Sequence, residues 1–173
     1  MNIAVIGTGM VGRLIAVELS KKYQVYAIDN NKNNLEKLRK YNAKIITKKI
    51  DVKNEDFLKS LDDTDLVVNC VPGFMGFETS KKILEKKTCV DISFMPEDCN
   101  YLKTVAENAN TALYPDAGVA PGLSNMIVGN LISKNKLKEV KIMVGGLPLE
   151  KNPPWNYKAP FSPIDVIEEY TRP

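Results

Sequence analysis

Up to Tyr114 the chain alternates two patterns: short apolar runs, and longer stretches where apolar residues return every three or four positions. The runs at Asn2–Ile6, Gln24–Ile28, Ala43–Ile46, Asp65–Asn69, Thr88–Ile92 and Thr111–Tyr114 predict strands. The stretches near Met10–Lys21, Lys32–Lys40, Asn54–Leu61, Glu78–Glu85 and Pro96–Ala109 predict the helices between them. Strands and helices in strict alternation with short connections imply a parallel sheet covered on both faces. The expected class is therefore α/β, a doubly wound sheet of order 3-2-1-4-5-6 that binds its ligand at the carboxyl ends of the strands.

Past Tyr114 the rhythm changes. Pro121-Gly122 opens an apolar helix bearing Met126, Ile127, Leu131 and Ile132. An alternating strand is expected at Val140–Gly145, then a proline-rich loop at Leu147–Pro160. Ser162-Pro163-Ile164-Asp165 has the N-cap, first-turn proline and acid of a helix start, so a last helix is expected from Ser162 to about Tyr170. Residues 1–122 are thus read as a dinucleotide-binding domain and residues 123–173 as the start of a second α+β domain. One strand and one helix cannot build a second core, so a truncated chain is expected. Its unpaired strand edge would pair with another copy, giving a homodimer.

The first strand runs straight into Gly7-Thr8-Gly9-Met10-Val11-Gly12, and Asp29 closes the second strand. A G-x-G-x-x-G string alone is weak; between a strand and a helix, with an acid about twenty positions on, it predicts a dinucleotide site. Gly7 makes the tight turn, Gly9 lets the backbone approach a pyrophosphate, and Gly12 lets helix and strand pack closely. The amides of Met10 and Val11 begin the helix whose positive end holds the phosphates. The dipole contributes only about 0.3–2 kcal/mol per charge, so the amide hydrogen bonds set the geometry. Asp29 would accept hydrogen bonds from the adenosine ribose and repel a 2′-phosphate, and Asn30 follows it with no arginine nearby. NAD is expected over NADP, with Lys32 as the one contrary sign.

Other candidates sit at strand ends. Asp51-Val52 either flanks the adenine or is an exposed loop acid and its neighbour. Asn69-Cys70-Val71-Pro72 ends the fourth strand beside the nicotinamide half of the cofactor; Asn69 either contacts a ribose or ties two loops together. Asp91 and Ser93 end the fifth strand, where the acid is either a loop anchor or a substrate-facing group. Glu97 and Asp98 read as helix-start acids. Asp116 opens a small-residue segment in which Gly118 and Gly122 allow close backbone approach, so Gly118 is a further cofactor candidate. The chain has no histidine, so a His–Asp relay is excluded, and the base would be a carboxylate, a lysine or water. Asp91 and Asp116 are the catalytic candidates.

Composition narrows the partners. Cys70, Cys89 and Cys99 form no C-x-x-C pair and no metal site is expected. The net charge of +3 comes from lysines scattered along helices, against a nucleic-acid surface. No run approaches the roughly 18 apolar residues of a membrane span, and the strand beginning at the first residues leaves no signal segment. A cytoplasmic enzyme with a small-molecule substrate is expected.

Several segments together are distinctive: Gly7–Gly12, Asn69–Gly73, Val90-Asp91-Ile92-Ser93-Phe94-Met95-Pro96-Glu97, Asp116–Asn125 and Val144-Gly145-Gly146-Leu147-Pro148. Pro153-Pro154 with Tyr157, and Phe161-Ser162 leading to Glu168-Glu169-Tyr170-Thr171-Arg172-Pro173, continue the series. They resemble the saccharopine dehydrogenase-like family, and within it the NAD-dependent L-lysine 6-dehydrogenases. The resemblance implies a Rossmann domain followed by a mixed-sheet domain that holds an amino-acid substrate and often makes the dimer. It also implies oxidation of the lysine 6-amine by NAD, giving 2-aminoadipate 6-semialdehyde, ammonia and NADH. A saccharopine dehydrogenase or reductase and a non-catalytic NAD-binding module are the alternatives.

Overall fold

In the computed structural model, which describes residues 1–143, 148–150, 153 and 167, six strands form one parallel sheet. They are β1 (Asn2–Ile6), β2 (Gln24–Asp29), β3 (Ile46–Lys49), β4 (Leu66–Asn69), β5 (Cys89–Asp91) and β6 (Leu113–Tyr114). Their order is β3-β2-β1-β4-β5-β6, as the alternation predicts. Side chains alternate between the two faces with period two. Ile3, Val5, Val25, Ala27 and Val68 face α1 (Met10–Leu19) and α2 (Lys32–Tyr41), which contribute Ala16, Leu35 and Leu38. Ala4, Ile6, Ile28 and Val67 point the other way. They meet Phe57 of α3 (Asp56–Lys59), Leu61, and Ile83 and Leu84 of α4 (Gly73–Leu84). Fully burying a side chain such as Phe57 stabilises by about 1.5–3 kcal/mol, so both layers hold the central strands firmly.

The boundaries that depart from the pattern have identifiable causes. β3 lies three residues beyond the expected Ala43–Ile46, on the polar stretch Ile46–Lys49. It is an edge strand, where polar side chains meet water and need not alternate cleanly. There Lys48 covers the Tyr26 ring at 5.1 Å and donates to the Ser60 carbonyl at 3.0 Å. α4 begins at Gly73 instead of Glu78, with Pro72 as its N-cap. Its buried face is built from Gly73, Gly76, Thr79 and Ser80 before Ile83 and Leu84, so the helical period is carried by small residues.

The helix expected over Pro96–Ala109 is broken into a 3-10 turn, Cys99–Leu102, and α5 (Lys103–Ala109). Asp98 caps the turn by accepting from the Asn100 amide at 2.9 Å, so Pro96 and Glu97 stay outside it.

The chain divides into two compact units, Met1–Ala117 and Gly118–Pro173. In the second, an isolated bridge joins Gly118 and Gly122, and α6 (Leu123–Ile132) follows. Asn125 closes its first turn by accepting from the Gly122 amide at 3.0 Å. Of the strand expected at Val140–Gly145, residues 140–143 form no strand, and Val144 and Gly145 lie outside the described residues. The loop at Leu147–Pro160 and the helix at Ser162–Tyr170 also fall outside them, apart from 148–150, 153 and 167.

Candidate functional site

The glycine loop joins β1 to α1 and is shaped by three different constraints. Gly7 has φ +84° and donates its amide to the Ile28 carbonyl at 2.8 Å, and a Cβ there would sit 2.7 Å from the Cys70 carbonyl oxygen. A Cβ on Gly12 would overlap the Gly7 carbonyl and come within 3.0 Å of Cys70 Cβ. Gly9 is different, because a Cβ would meet nothing within 4 Å. The first bond of α1 runs from the Arg13 amide to the Gly9 carbonyl at 3.1 Å. The amides of Met10, Val11 and Gly12 therefore precede the helical ladder and open onto the space beside Gly9. Met10 and Val11 are about half exposed above it, at 54% and 51%. Open room, orphan amides and the positive helix end fit a pyrophosphate.

Asp29 at the end of β2 is tied to this loop. Its Oδ2 accepts from the Thr8 amide (2.7 Å), the Thr8 hydroxyl (2.8 Å) and Asn34 Nδ2 (3.2 Å). Among the described residues its Oδ1 accepts from the Asn31 amide alone, at 2.7 Å. A carboxylate offers about two acceptor directions on each oxygen. Asp29 therefore keeps one on Oδ1, enough for a single ribose hydroxyl.

Beside it an open groove of about 610 Å³ is lined by Asn30, Asn31, Lys32, Lys49, Asp51 and Asn54. Lys49 pairs in register with Asp29 across β2 and β3, and Lys32 lies 3.5 Å from Glu36. Asp51 accepts from the Lys53 amide at 2.9 Å and from Asn30 Nδ2 at 3.2 Å. These two bonds, with the nearby Lys53 and Lys82 ammonium groups, hold its carboxyl below the usual range. Val52 is turned inward: its side chain packs on the core, and its carbonyl accepts from Lys82 Nζ at 3.0 Å.

At the ends of β4 and β5 a second carboxylate is enclosed completely. Asp91 is 1% exposed; Oδ2 accepts from Asn69 Nδ2 (2.8 Å) and the Ser80 hydroxyl (2.7 Å). Oδ1 accepts from the Ser93 amide (2.9 Å) and hydroxyl (2.7 Å). Four donors occupy all four directions. This corrects the expectation of Asp91 as a catalytic base: with no acceptor direction left and no exposure it is a loop anchor. Asn69 is likewise the tie between loops, fully buried, with Nδ2 also 3.0 Å from Ser80 Oγ and 3.3 Å from the Gly76 carbonyl. Of the other cofactor candidates here, the Ser93 hydroxyl donates to Asp91 at 2.7 Å, and Val71 is buried in the core. Burial pushes the Cys70 and Cys89 thiols up, Cys89 to about 12, and the Asp91 carboxylate adds to both shifts. Neither is a thiolate at neutral pH.

Pro72 is exposed as the cap of α4, and Asp116 is exposed with a left-handed backbone, φ +50°. Gly118 belongs to the second unit. Thr8, Asn34, Gly76, Ser80 and Lys49 escaped the motif reading. Thr8 stood inside the glycine string, and the 73–76–80 spacing of small residues was the available sign for α4. Lys49 and Asn34 become neighbours of Asp29 only through sheet register and helix docking. Among the described residues no group of His, Cys, Asp or Glu side chains is arranged to hold a metal ion, and no helix is long and apolar enough to cross a membrane.

Comparison with known proteins agrees with this fold. The saccharopine dehydrogenase NADP binding domain model matches residues 3–120, and the saccharopine dehydrogenase C-terminal domain model matches 118–173. The mitochondrial alpha-aminoadipic semialdehyde synthase of Bos taurus is 26% identical over 99% of this chain. That of Arabidopsis thaliana is 27% identical over 69%. The chain spans only 20% and 12% of the length of these two relatives. Among solved structures, the apo saccharopine dehydrogenase (L-Glu forming) of Saccharomyces cerevisiae superposes with a TM-score of 0.68 at 20% identity. It covers 77% of this chain and 31% of that one. A probable dehydrogenase from Thermotoga maritima gives a TM-score of 0.60 at 16% identity, over 77% and 41%. At these identities the likeness is one of fold.

Proposed function

The chain belongs to the saccharopine dehydrogenase family, and from that premise we propose that it is the cofactor-binding part of an NAD-dependent amino-acid dehydrogenase acting on the 6-amino group of L-lysine. The observation that carries the cofactor reading is the open space at Gly9, next to three amides that precede the helical ladder, with Asp29 tied to the same loop through Thr8. The relatives' name supports the substrate class, since alpha-aminoadipic semialdehyde is the aldehyde that oxidation of lysine at C6 releases.

When bound, oxidised nicotinamide supplies a hydride acceptor. The residues of this chain do the rest. Met10, Val11 and Gly12 amides would hold the pyrophosphate, and Asp29 Oδ1 would take a ribose hydroxyl. The substrate amine must be neutral for hydride to leave C6, and its carbon must lie about 3–3.5 Å from the acceptor. Asp116, the exposed acid of the two candidates, is assigned the proton from that amine. Hydrolysis of the resulting imine gives the semialdehyde and ammonia.

A second reading, a saccharopine-type reductase using NADP, is favoured by one observation. Lys32 and Lys49 line the groove beside Asp29, where a 2′-phosphate would meet two cations. Titration with NADH and NADPH by fluorescence, followed by NADH formation at alkaline pH with L-lysine or saccharopine, decides between them. NADH binding with turnover of lysine supports the first. Preference for NADPH with turnover of saccharopine supports the second. Failure to bind either dinucleotide overturns both.

A further inference from the structure

The Asp91 cluster does more than hold β4 to β5. It closes on one segment, the turn that leaves β5 through Ser93, Phe94 and Met95. Ser93 is bound to Asp91 by both its amide and its hydroxyl. Ile92 donates its amide to the Asn69 carbonyl at 3.0 Å. Phe94 follows in the left-handed region at φ +58°, unusual for a bulky residue.

The opposite side of the turn is set by α4. Gly76 faces it so closely that an added Cβ would overlap Ser93 Oγ and lie 2.9 Å from Ser93 Cβ and 3.1 Å from Met95 Cβ. Asn69 fastens the same turn of α4 through the Gly76 carbonyl. The segment is therefore gripped between a buried carboxylate and a glycine, with Ser93 itself only 8% exposed. A left-handed aromatic backbone is strained and persists only when its surroundings over-determine it. This grip supplies that.

Position gives the grip a purpose. In a doubly wound sheet one half of a dinucleotide lies over β1–β3 and the other over β4–β6, outside the carboxyl ends. The glycine loop and Asp29 mark the adenosine half, so the turn after β5 stands on the nicotinamide side. Resting on the dinucleotide reading above, we propose that Asp91 and Gly76 are positioning residues: acting through Ser93, they hold Phe94 and Met95 as a wall of the nicotinamide subsite. They touch the cofactor nowhere themselves.

Gly76→Ala is the sharpest probe, because alanine favours a helix interior and its only penalty is the collision with Ser93 and Met95. Titration of the full chain compares NADH with ADP-ribose, which lacks the nicotinamide. Gly76→Ala is expected to weaken NADH binding about tenfold and to leave ADP-ribose within about twofold. Adding Ser93→Gly, which removes both colliding Ser93 atoms, is expected to restore part of the NADH affinity. Ser93→Ala, which loses one bond to Asp91 and introduces no collision, should show the same selective loss at about threefold. It serves if Gly76→Ala fails to fold. Equal losses for both ligands, or no change for either, would overturn the wall. Wild-type chain that binds ADP-ribose and NADH equally would overturn it too, leaving the adenosine site standing. Wild-type chain that binds neither ligand sinks the dinucleotide reading itself, and the wall with it.

Discussion

Asp29 and Asp91 are the same residue type at the same place, the last position of a buried parallel strand, and each accepts four hydrogen bonds from its own chain. Their division differs. At Asp91 the bonds fall two and two and the carboxylate is closed; at Asp29 they fall three and one, and one direction on Oδ1 stays open. Exposure follows, 1% against 9%, and Asn30, Asn31 and Lys49, the neighbours of Asp29 along the chain and across the sheet, line the open groove. A strand-end acid is thus a ligand or an anchor according to what the neighbouring helix brings to it. α4 brings Ser80 and fills the last direction; α2 brings Asn34 to an oxygen that already has two donors.

The largest expected effect tests the anchor. Asp91→Ala takes the acceptor away from the Ser80 hydroxyl and both Ser93 donors, and leaves the Asn69 amide only Ser80 Oγ and the Gly76 carbonyl. It should lower unfolding free energy by about 3–5 kcal/mol, read from urea denaturation. Asp29→Ala should cost less, about 2 kcal/mol, because water from the groove can replace bonds to Asn31 and Asn34. It should weaken NADH about tenfold or more, the loss of one hydrogen bond to a charged acceptor. If Asp29→Ala proved the more destabilising of the two and spared NADH, the distinction would collapse.

A smaller effect belongs to Lys49. Lys49→Gln should reduce NADPH affinity about threefold at low salt, with the difference shrinking as salt rises, and should leave NADH unchanged. No change for NADPH would remove the case for a phosphate in the groove. The smallest concerns Asp51, a third acid, just past β3. Its lowered folded value means its contribution is present above the unfolded value of about 4 and is lost as pH falls through the lower folded one. In water-exposed surroundings that is a few tenths of a kcal/mol. Urea midpoints at about pH 6 and about pH 3 should converge for Asp51→Asn more than for the natural chain.

The apolar periods determined the class and the strand order, and the glycine spacing between strand and helix determined the place of the loop. Those signals are local: a strand buried on both faces must be apolar throughout, and a tight strand-to-helix turn over Cys70 must use glycine. The start of α4 was not legible, because Gly73, Gly76 and Ser80 carry its period without apolar bulk. β3 was misplaced because an edge strand has no apolar constraint on half its surface.

The roles of the site residues were decided elsewhere. Asp91 and Asp116 read alike as strand-end acids. Nothing along the chain shows that Ser80, eleven positions from Asp91, completes its shell, or that Lys49 faces Asp29 across the sheet. Burial and hydrogen-bond saturation are properties of side chains that meet only after helices dock on the sheet. The sequence names which groups are capable of chemistry, and tertiary packing decides which of them keep a free lone pair.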